Sequence, residues 1–337
     1  MKRWQFWLGV VVSLVLLVLA LRRLQLAEVW QALRSAQFLW LIPGVAVYFV
    51  GVWVRAWRWH YLLRPLQRIP VRSMFPIVAI GYMGNNIYPA RAGELLRAYV
   101  LRRRHAVPVS ASLATILIER AFDGIVMLGF VFLNLRELAA LTGESGLAGS
   151  IRDVALLGAA AFLGATLVFL VMAAFPRRAA VWIGWVIERL VPARARASAH
   201  GITDRFLAGL AALRSPADVL MVLLTSVVIW LLETGKYWFV MQAFPFHVSF
   251  FALMLMNGIV NLATTLPSAP GYVGTFDAPG IAVLVAYRVT PEIAAGYTLL
   301  LHAALWLPIT LLGAYYMTRE SLHWTQVQAE LKAEAPT

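Results

Sequence analysis

Six apolar stretches, each close to the length a helix needs to cross a bilayer, limit what this chain can fold into. They cover residues 4–21, 38–56, 109–135, 152–175, 218–244 and 292–317. A spanning helix takes about 20 mostly apolar residues, because each residue rises only about 1.5 Å through a hydrocarbon core of about 30 Å. Two further regions, 74–101 and 249–289, are apolar but interrupted. The first break reads Gly84-Asn85-Asn86-Ile87-Tyr88-Pro89-Ala90-Arg91-Ala92-Gly93-Glu94, and the second reads Asn261-Leu262-Ala263-Thr264-Thr265-Leu266-Pro267-Ser268-Ala269-Pro270-Gly271. Both carry a P-x-x-x-G spacing preceded by asparagine. Their arms are short for a crossing, which predicts two re-entrant hairpins, a form tolerated in a bilayer only where protein or a water-filled cavity satisfies the freed backbone groups.

With 61% hydrophobic and 13% charged residues, the 337-residue chain has too much apolar surface for one soluble core. The expected fold is an all-α polytopic membrane protein of about six spanning helices plus the two hairpins. No cysteine is present, which removes disulfides, thiol nucleophiles and cysteine-ligated metals. The net charge of +13 sits in loops between apolar segments, where cytoplasmic bias and anionic head groups account for it, so nucleic acid is not an expected partner. The six histidines show no metal-like spacing, and no Walker A loop, dinucleotide fingerprint or H-E-x-x-H occurs. No cofactor and no metal are expected.

One transmembrane domain is predicted over 1–320, with halves of about 1–150 and 151–320 and a polar cytoplasmic tail over 321–337. The run after Lys2-Arg3 is long for a signal peptide and lacks an A-x-A site, so an uncleaved first helix is expected. Arg55, Arg58, Arg64, Arg68 and Arg72 read as one loop, Arg102, Arg103 and Arg104 end the first hairpin, and seven arginines crowd 176–217. Placing these clusters on one side makes that side cytoplasmic, with both termini there and the second hairpin entering from outside. Arg22, Arg23 and Arg34 then fall outside, beside a short interfacial helix around Trp30. The resulting order is an inverted-topology repeat, in which binding sites lie at interrupted segments of corresponding position.

Ionisable residues inside the apolar segments are the candidate site. Glu119, Arg120 and Asp123 lie in segment 109–135, where each charge costs about 2.5–3.5 kcal/mol near the bilayer centre and must face a cavity or a partner. They can form an internal ion pair or a polar pathway. Glu233 and Lys236, three apart, precede Tyr237 and pose the same choice. In the first break Asn85 and Asn86 precede a stripe of Arg91, Glu94 and Arg97, and a half-helix starting at Pro89 would turn its free N–H groups toward an anionic group. The arginines can equally snorkel to the surface. The second break offers Asn257, Asn261, Ser268, Gly271 and Asp277, with glycines that permit close approach. His302 reads as a structural histidine or a proton relay.

Three stretches carry a family resemblance. Asn86-Ile87-Tyr88-Pro89-Ala90-Arg91-Ala92-Gly93-Glu94-Leu95-Leu96-Arg97-Ala98, then Ile118-Glu119-Arg120-Ala121-Phe122-Asp123, and Leu266-Pro267-Ser268-Ala269-Pro270-Gly271-Tyr272-Val273-Gly274-Thr275-Phe276-Asp277 resemble the transmembrane region of lysylphosphatidylglycerol synthases, also called the flippase-like family. Trp57-Arg58-Trp59-His60-Tyr61-Leu62-Leu63 resembles its basic-aromatic segment. The resemblance implies a prokaryotic cytoplasmic-membrane protein that translocates a phospholipid or a polyprenyl-linked lipid, with a separate lipid-modifying enzyme as a possible partner. The chain departs from the family in having no soluble synthase domain and in carrying Asp277 where glutamate is usual. The expected function is therefore lipid translocation. The alternative is a membrane-embedded transferase, or an accessory subunit of one, acting on a lipid-linked substrate.

Overall fold

The computed structural model describes residues 24–88, 91–142, 147–265 and 269–319, with isolated positions at 11, 14, 15 and 18. Among the described residues there are twelve α-helices and no strand, so the chain is an all-α polytopic membrane protein. In order they are α1 Leu26–Ser35, α2 Leu41–Leu63, α3 Val71–Ile87, α4 Ala92–His105, α5 Val109–Thr142 and α6 Leu147–Ala174. These are followed by α7 Pro176–Leu190, α8 Ala193–Gly209, α9 Pro216–Met241, α10 Phe250–Ala263, α11 Asp277–Ala286 and α12 Pro291–Arg319.

Four described helices are long and apolar enough to cross a membrane: Phe38–Leu63, Ile151–Ala174, Pro216–Met241 and Pro291–Arg319. They correspond to four of the six expected spans. The expected span 4–21 and the tail 321–337 lie almost wholly outside the described residues. The remaining one, α5, is a single helix of 34 residues, about 51 Å long at the usual rise. Its interior carries Glu119, Arg120 and Asp123, and it is not among those four.

The arginine loop expected after residue 56 begins later than the sequence suggests. Helix α2 continues to Leu63, and Arg55 and Arg58 lie within it, 5% and 0% exposed. Their charges meet acids on α9 and α5, so burial neither strands them nor makes them topology markers. The segment 176–217 is likewise helical rather than a loop. Helix α7 exposes Val181, Trp182, Trp185 and Leu190 beside Arg177, Arg178 and Arg189, the amphipathic pattern of a helix lying in a membrane interface.

Small residues allow the central crossing. A Cβ on Gly44 would sit 3.5 Å from Phe239 Cβ, one on Gly51 3.9 Å from Leu232 Cβ, and one on Gly235 3.7 Å from Val47. Helices α2 and α9 therefore pack backbone to backbone, as membrane helices do where no hydrophobic force drives them together.

Each break separates two short helices. In the first, Arg91 adopts the left-handed conformation at φ 53 and α4 starts at Ala92. Helices α3 and α4 fold so closely that a Cβ on Gly84 would lie 2.6 Å from Gly93 Cα. In the second, Gly271, Tyr272 and Gly274 all have positive φ before α11 begins at Asp277. Contacts across the molecule are paired: α12, which follows the second break, packs on α3, and α5, which follows the first, packs on α10.

Candidate functional site

The two breaks face each other across a cavity of about 130 Å³. Arg91 enters it from the first break and Tyr272 from the second, while Arg55 comes from α2, Arg120 from α5, and Glu233 and Lys236 from α9. Asn85, Asn86 and Asn261 add amide groups, and Tyr48, Tyr82, Trp230 and Trp306 add aromatic faces. Four basic side chains therefore line a wall with one carboxylate, Glu233.

That imbalance survives a tally of the ion pairs. Glu233 accepts from Arg55 Nη2 at 2.7 Å and also pairs with Lys236, so one acid faces two cations. Arg55 is further held over the rings of Trp230 and Tyr82, with ring centroids 5.2 and 5.6 Å away, and Lys236 lies over Tyr48 at 4.3 Å. Among the described residues Arg120 pairs with acids at long range, 3.7 Å to Glu94 and 3.6 Å to Asp123. Arg91 has no acidic partner among the described residues. It donates to the Thr264 carbonyl at 3.0 Å and lies over Tyr272 at 5.9 Å, spanning from one break to the other.

Glu119 and Asp123 are committed elsewhere. Arg58 holds Asp123 through two hydrogen bonds of 2.6 and 3.1 Å, and its Nε lies 3.5 Å from Glu119. Trp230 Nε1 donates to the same Asp123 oxygen at 3.1 Å, and Arg97 Nη2 meets Glu119 at 2.5 Å. This buried network of two arginines and two acids ties α2, α4, α5 and α9 together beside the cavity. Arg97 also stacks on Trp59 at 4.6 Å.

Of the residues singled out from sequence, Asn85, Asn86, Arg91, Arg120, Glu233, Lys236, Tyr237, Asn261 and Gly271 line the cavity. Glu94 and Arg97 line a small adjoining pocket shared with Asn85 and Arg120. Glu119, Asp123 and Asn257 are packed behind the wall, and Asn257 donates to Thr234 Oγ1 at 3.1 Å. Asp277 does not line the cavity but bonds to His302, which does, and Ser268 lies outside the described residues. The stripe expected from Arg91 to Arg97 is split: Arg91 precedes the helix in a left-handed turn and points to Thr264, whereas Arg97 turns to Glu119. Sequence reasoning missed the inward roles of Arg55 and Arg58. Their i, i+3 spacing inside an aromatic, helix-compatible run was the available signal.

Amide and hydroxyl bonds fix the two breaks to the long helices. Asn86 donates to Thr310 Oγ1 at 2.8 Å on α12, and Trp306 Nε1 donates back to the Asn86 carbonyl at 3.4 Å. Asn261 donates to Asn257 Oδ1 at 2.7 Å. His302 on α12 places Nδ1 2.8 Å from Asp277 Oδ1 and Nε2 2.6 Å from the Gly271 carbonyl. No group of three acidic or histidine side chains suited to a metal occurs among the described residues. The site can hold an anion with guanidinium groups and lay a polyol or sugar ring against aromatic faces.

These features define a helical membrane protein with a polar, cation-rich cavity between interrupted helices. Residues 6–313 match the family described as the lysylphosphatidylglycerol synthase TM region, and the chain belongs to that family. It is similar to glycosyltransferase AglD of Haloferax volcanii, 29% identical over 331 residues covering 87% of this chain and 51% of AglD. The chain thus spans about half the length of that relative. Two UPF0104 membrane proteins of Methanothermobacter thermautotrophicus are also similar, at 24% and 23% identity. The alignments cover 86% and 94% of this chain and 88% and 93% of theirs. No solved structure matches the chain.

Proposed function

We propose that the protein translocates a membrane lipid with a net-anionic head group across the prokaryotic cytoplasmic membrane. The observation that carries this reading is Arg91, a guanidinium without an acidic partner among the described residues, bridging the two breaks at the cavity. Arg91 and Arg120 would hold the phosphate, with the aromatic faces and amides taking the rest of the head group. The surplus of basic side chains favours a phosphate carrying a neutral sugar or polyol over an aminoacylated, cationic group.

In this reading the two breaks are re-entrant hairpins of an inverted repeat. Exchanging α2–α5 with α9–α12 turns the α12–α3 contact into the α5–α10 contact, and it maps the α2–α9 crossing onto itself. Rocking of these units would expose the head group to alternate faces. The arginines that remain outside helix interiors on the Arg64–Arg72 and Arg102–Arg104 stretches support a cytoplasmic assignment for that side.

The likeness to a protein named glycosyltransferase supports a second reading, in which this domain serves a transferase acting on a lipid-linked substrate. Purified protein in vesicles, assayed once for lipid inversion and once for product formation, separates the two. Inversion without product supports translocation; product without inversion overturns it.

A further inference from the structure

We propose that Asp277 and His302 form a proton-binding site in the cavity wall, and that the bound proton latches the second break to α12. Its use in driving transport rests on the translocation reading; the site and latch do not. Both nitrogens of the His302 ring face oxygen acceptors, the Asp277 carboxylate at 2.8 Å and the Gly271 carbonyl at 2.6 Å. A neutral imidazole has only one N–H and satisfies only one of them, whereas an imidazolium satisfies both. Asp277 is suited to be the counter-ion: its other oxygen, Oδ2, already accepts from the Gly274 N–H at 2.8 Å, and the side chain is 1% exposed. His302 is 14% exposed and lines the cavity, which gives the proton a route in and out.

Loss of that proton has a defined structural result. The loaded pair, imidazolium and carboxylate, releases one proton to cavity water and leaves neutral His302 beside ionised Asp277. The remaining N–H stays on Nδ1 toward the carboxylate, so the bare Nε2 lone pair then faces the lone pairs of the Gly271 carbonyl. That contact becomes repulsive and the carbonyl is released. Gly271 stands at φ 75 with Tyr272 at φ 61, a left-handed turn held against Trp306 on the same helix as His302. Opening here enlarges the cavity on the side of the second break.

Other charges around the pair set its response. Glu233, Lys236 and Tyr237 face the same cavity from α9, and Arg120 faces it from α5. Tyr82 and Arg91 approach from the first hairpin, Arg55 and Tyr48 from α2, and Tyr272 from the break itself. Helix α1, which also packs on α12, carries Glu28 and Arg34. None of these groups bonds to the His302 ring, whose partners among the described residues are the Asp277 carboxylate and the Gly271 carbonyl. A phosphate at Arg91 and Arg120 would favour the imidazolium, so head-group binding and proton binding reinforce one another.

Two measurements on the ligand-free protein test the proposal without any transport assay. Nitrogen-15 NMR of histidine-labelled protein in phosphatidylcholine nanodiscs should show one ring, assigned by His302→Gln or by removing the other five histidines in turn, with both nitrogens protonated and losing one proton on alkalinisation. Asp277→Asn should abolish that signature. The chain lacks cysteine, so Thr264→Cys in the cavity wall reports opening through a water-soluble thiosulfonate, normalised to exposed Ser198→Cys. Labelling should rise with pH, by at most about tenfold per pH unit, the limiting slope for a latch that holds one proton. A His302 ring that stays singly protonated, or normalised labelling that is flat with pH, overturns the proposal. Failure of lipid inversion would count against the transport reading alone.

Discussion

The two breaks face each other across the cavity yet are held by different means. The first is fixed by charge and close backbone contact: Arg97 is locked to Glu119, Arg58 binds Glu119 and Asp123, and Gly93 lies against α3 with no room for a side chain. The second has few charges and is fixed by backbone shape, with positive φ at Gly271, Tyr272 and Gly274 and a histidine bond to the Gly271 carbonyl. The comparison teaches that one half can act as a rigid wall and the other as the element that gives way. A buried salt-bridge network resists movement because separating its members exposes unpaired charge. A turn held to its neighbours by a few hydrogen bonds, without a buried ion-pair network, resists much less.

The largest expected effect falls on the rigid side. Arg58→Ala leaves Asp123 and Glu119 without their shared partner in a dry interior, which costs about 3–5 kcal/mol. The variant should unfold in detergent at temperatures where the parent is intact, read by thermal-shift fluorescence. Unchanged melting would show that the network does not hold the first half.

Gly93→Ala comes next. Its new methyl would collide with the Gly81 carbonyl and the Asn85 amide, and both opposing groups are on the facing helix, so α3 and α4 must separate. Gly271→Ala sets a side chain at φ 75 and 2.9 Å from Trp306 Nε1, at a cost of about 1–3 kcal/mol. Melting temperature should fall more for Gly93→Ala than for Gly271→Ala. The reverse order would break the distinction between a rigid and a yielding break.

A smaller effect is expected at the cavity, where Arg91→Lys keeps the charge but loses the planar fork. Binding of phosphate-bearing lipid should weaken by about tenfold, or about 1.4 kcal/mol, with melting unchanged. Arg103→Lys, exposed near the end of α4, should change neither. Microscale thermophoresis with labelled phosphatidylglycerol reads both variants.

Much of this was legible in the sequence because membrane folding leaves strong marks. Apolar runs of bilayer length gave four helices their positions, and glycine with proline marked both breaks. The charged residues of the 109–135 segment also announced a polar interior, since such groups cannot face lipid. What the sequence could not settle was partner choice. Arg58 reads as a loop cation when counted along the chain, and only the approach of α5 over 60 residues later turns it into the counter-ion of Asp123. Arg91 and Arg97 look equivalent by spacing, but a left-handed residue at the start of α4 sends one to the cavity and leaves the other to Glu119. Helical periodicity holds no information about that turn, because it assumes the helix has already begun.

The central claim is that the cavity between the breaks binds an anionic lipid head group through Arg91 and Arg120. Native mass spectrometry of the protein purified gently from membranes tests it directly, comparing the parent with Arg91→Ala, Arg120→Ala and the surface control Arg103→Ala. The account predicts a co-purifying phosphate-bearing lipid on the parent and on Arg103→Ala that is lost from both cavity variants. Equal lipid occupancy in all four proteins would contradict it.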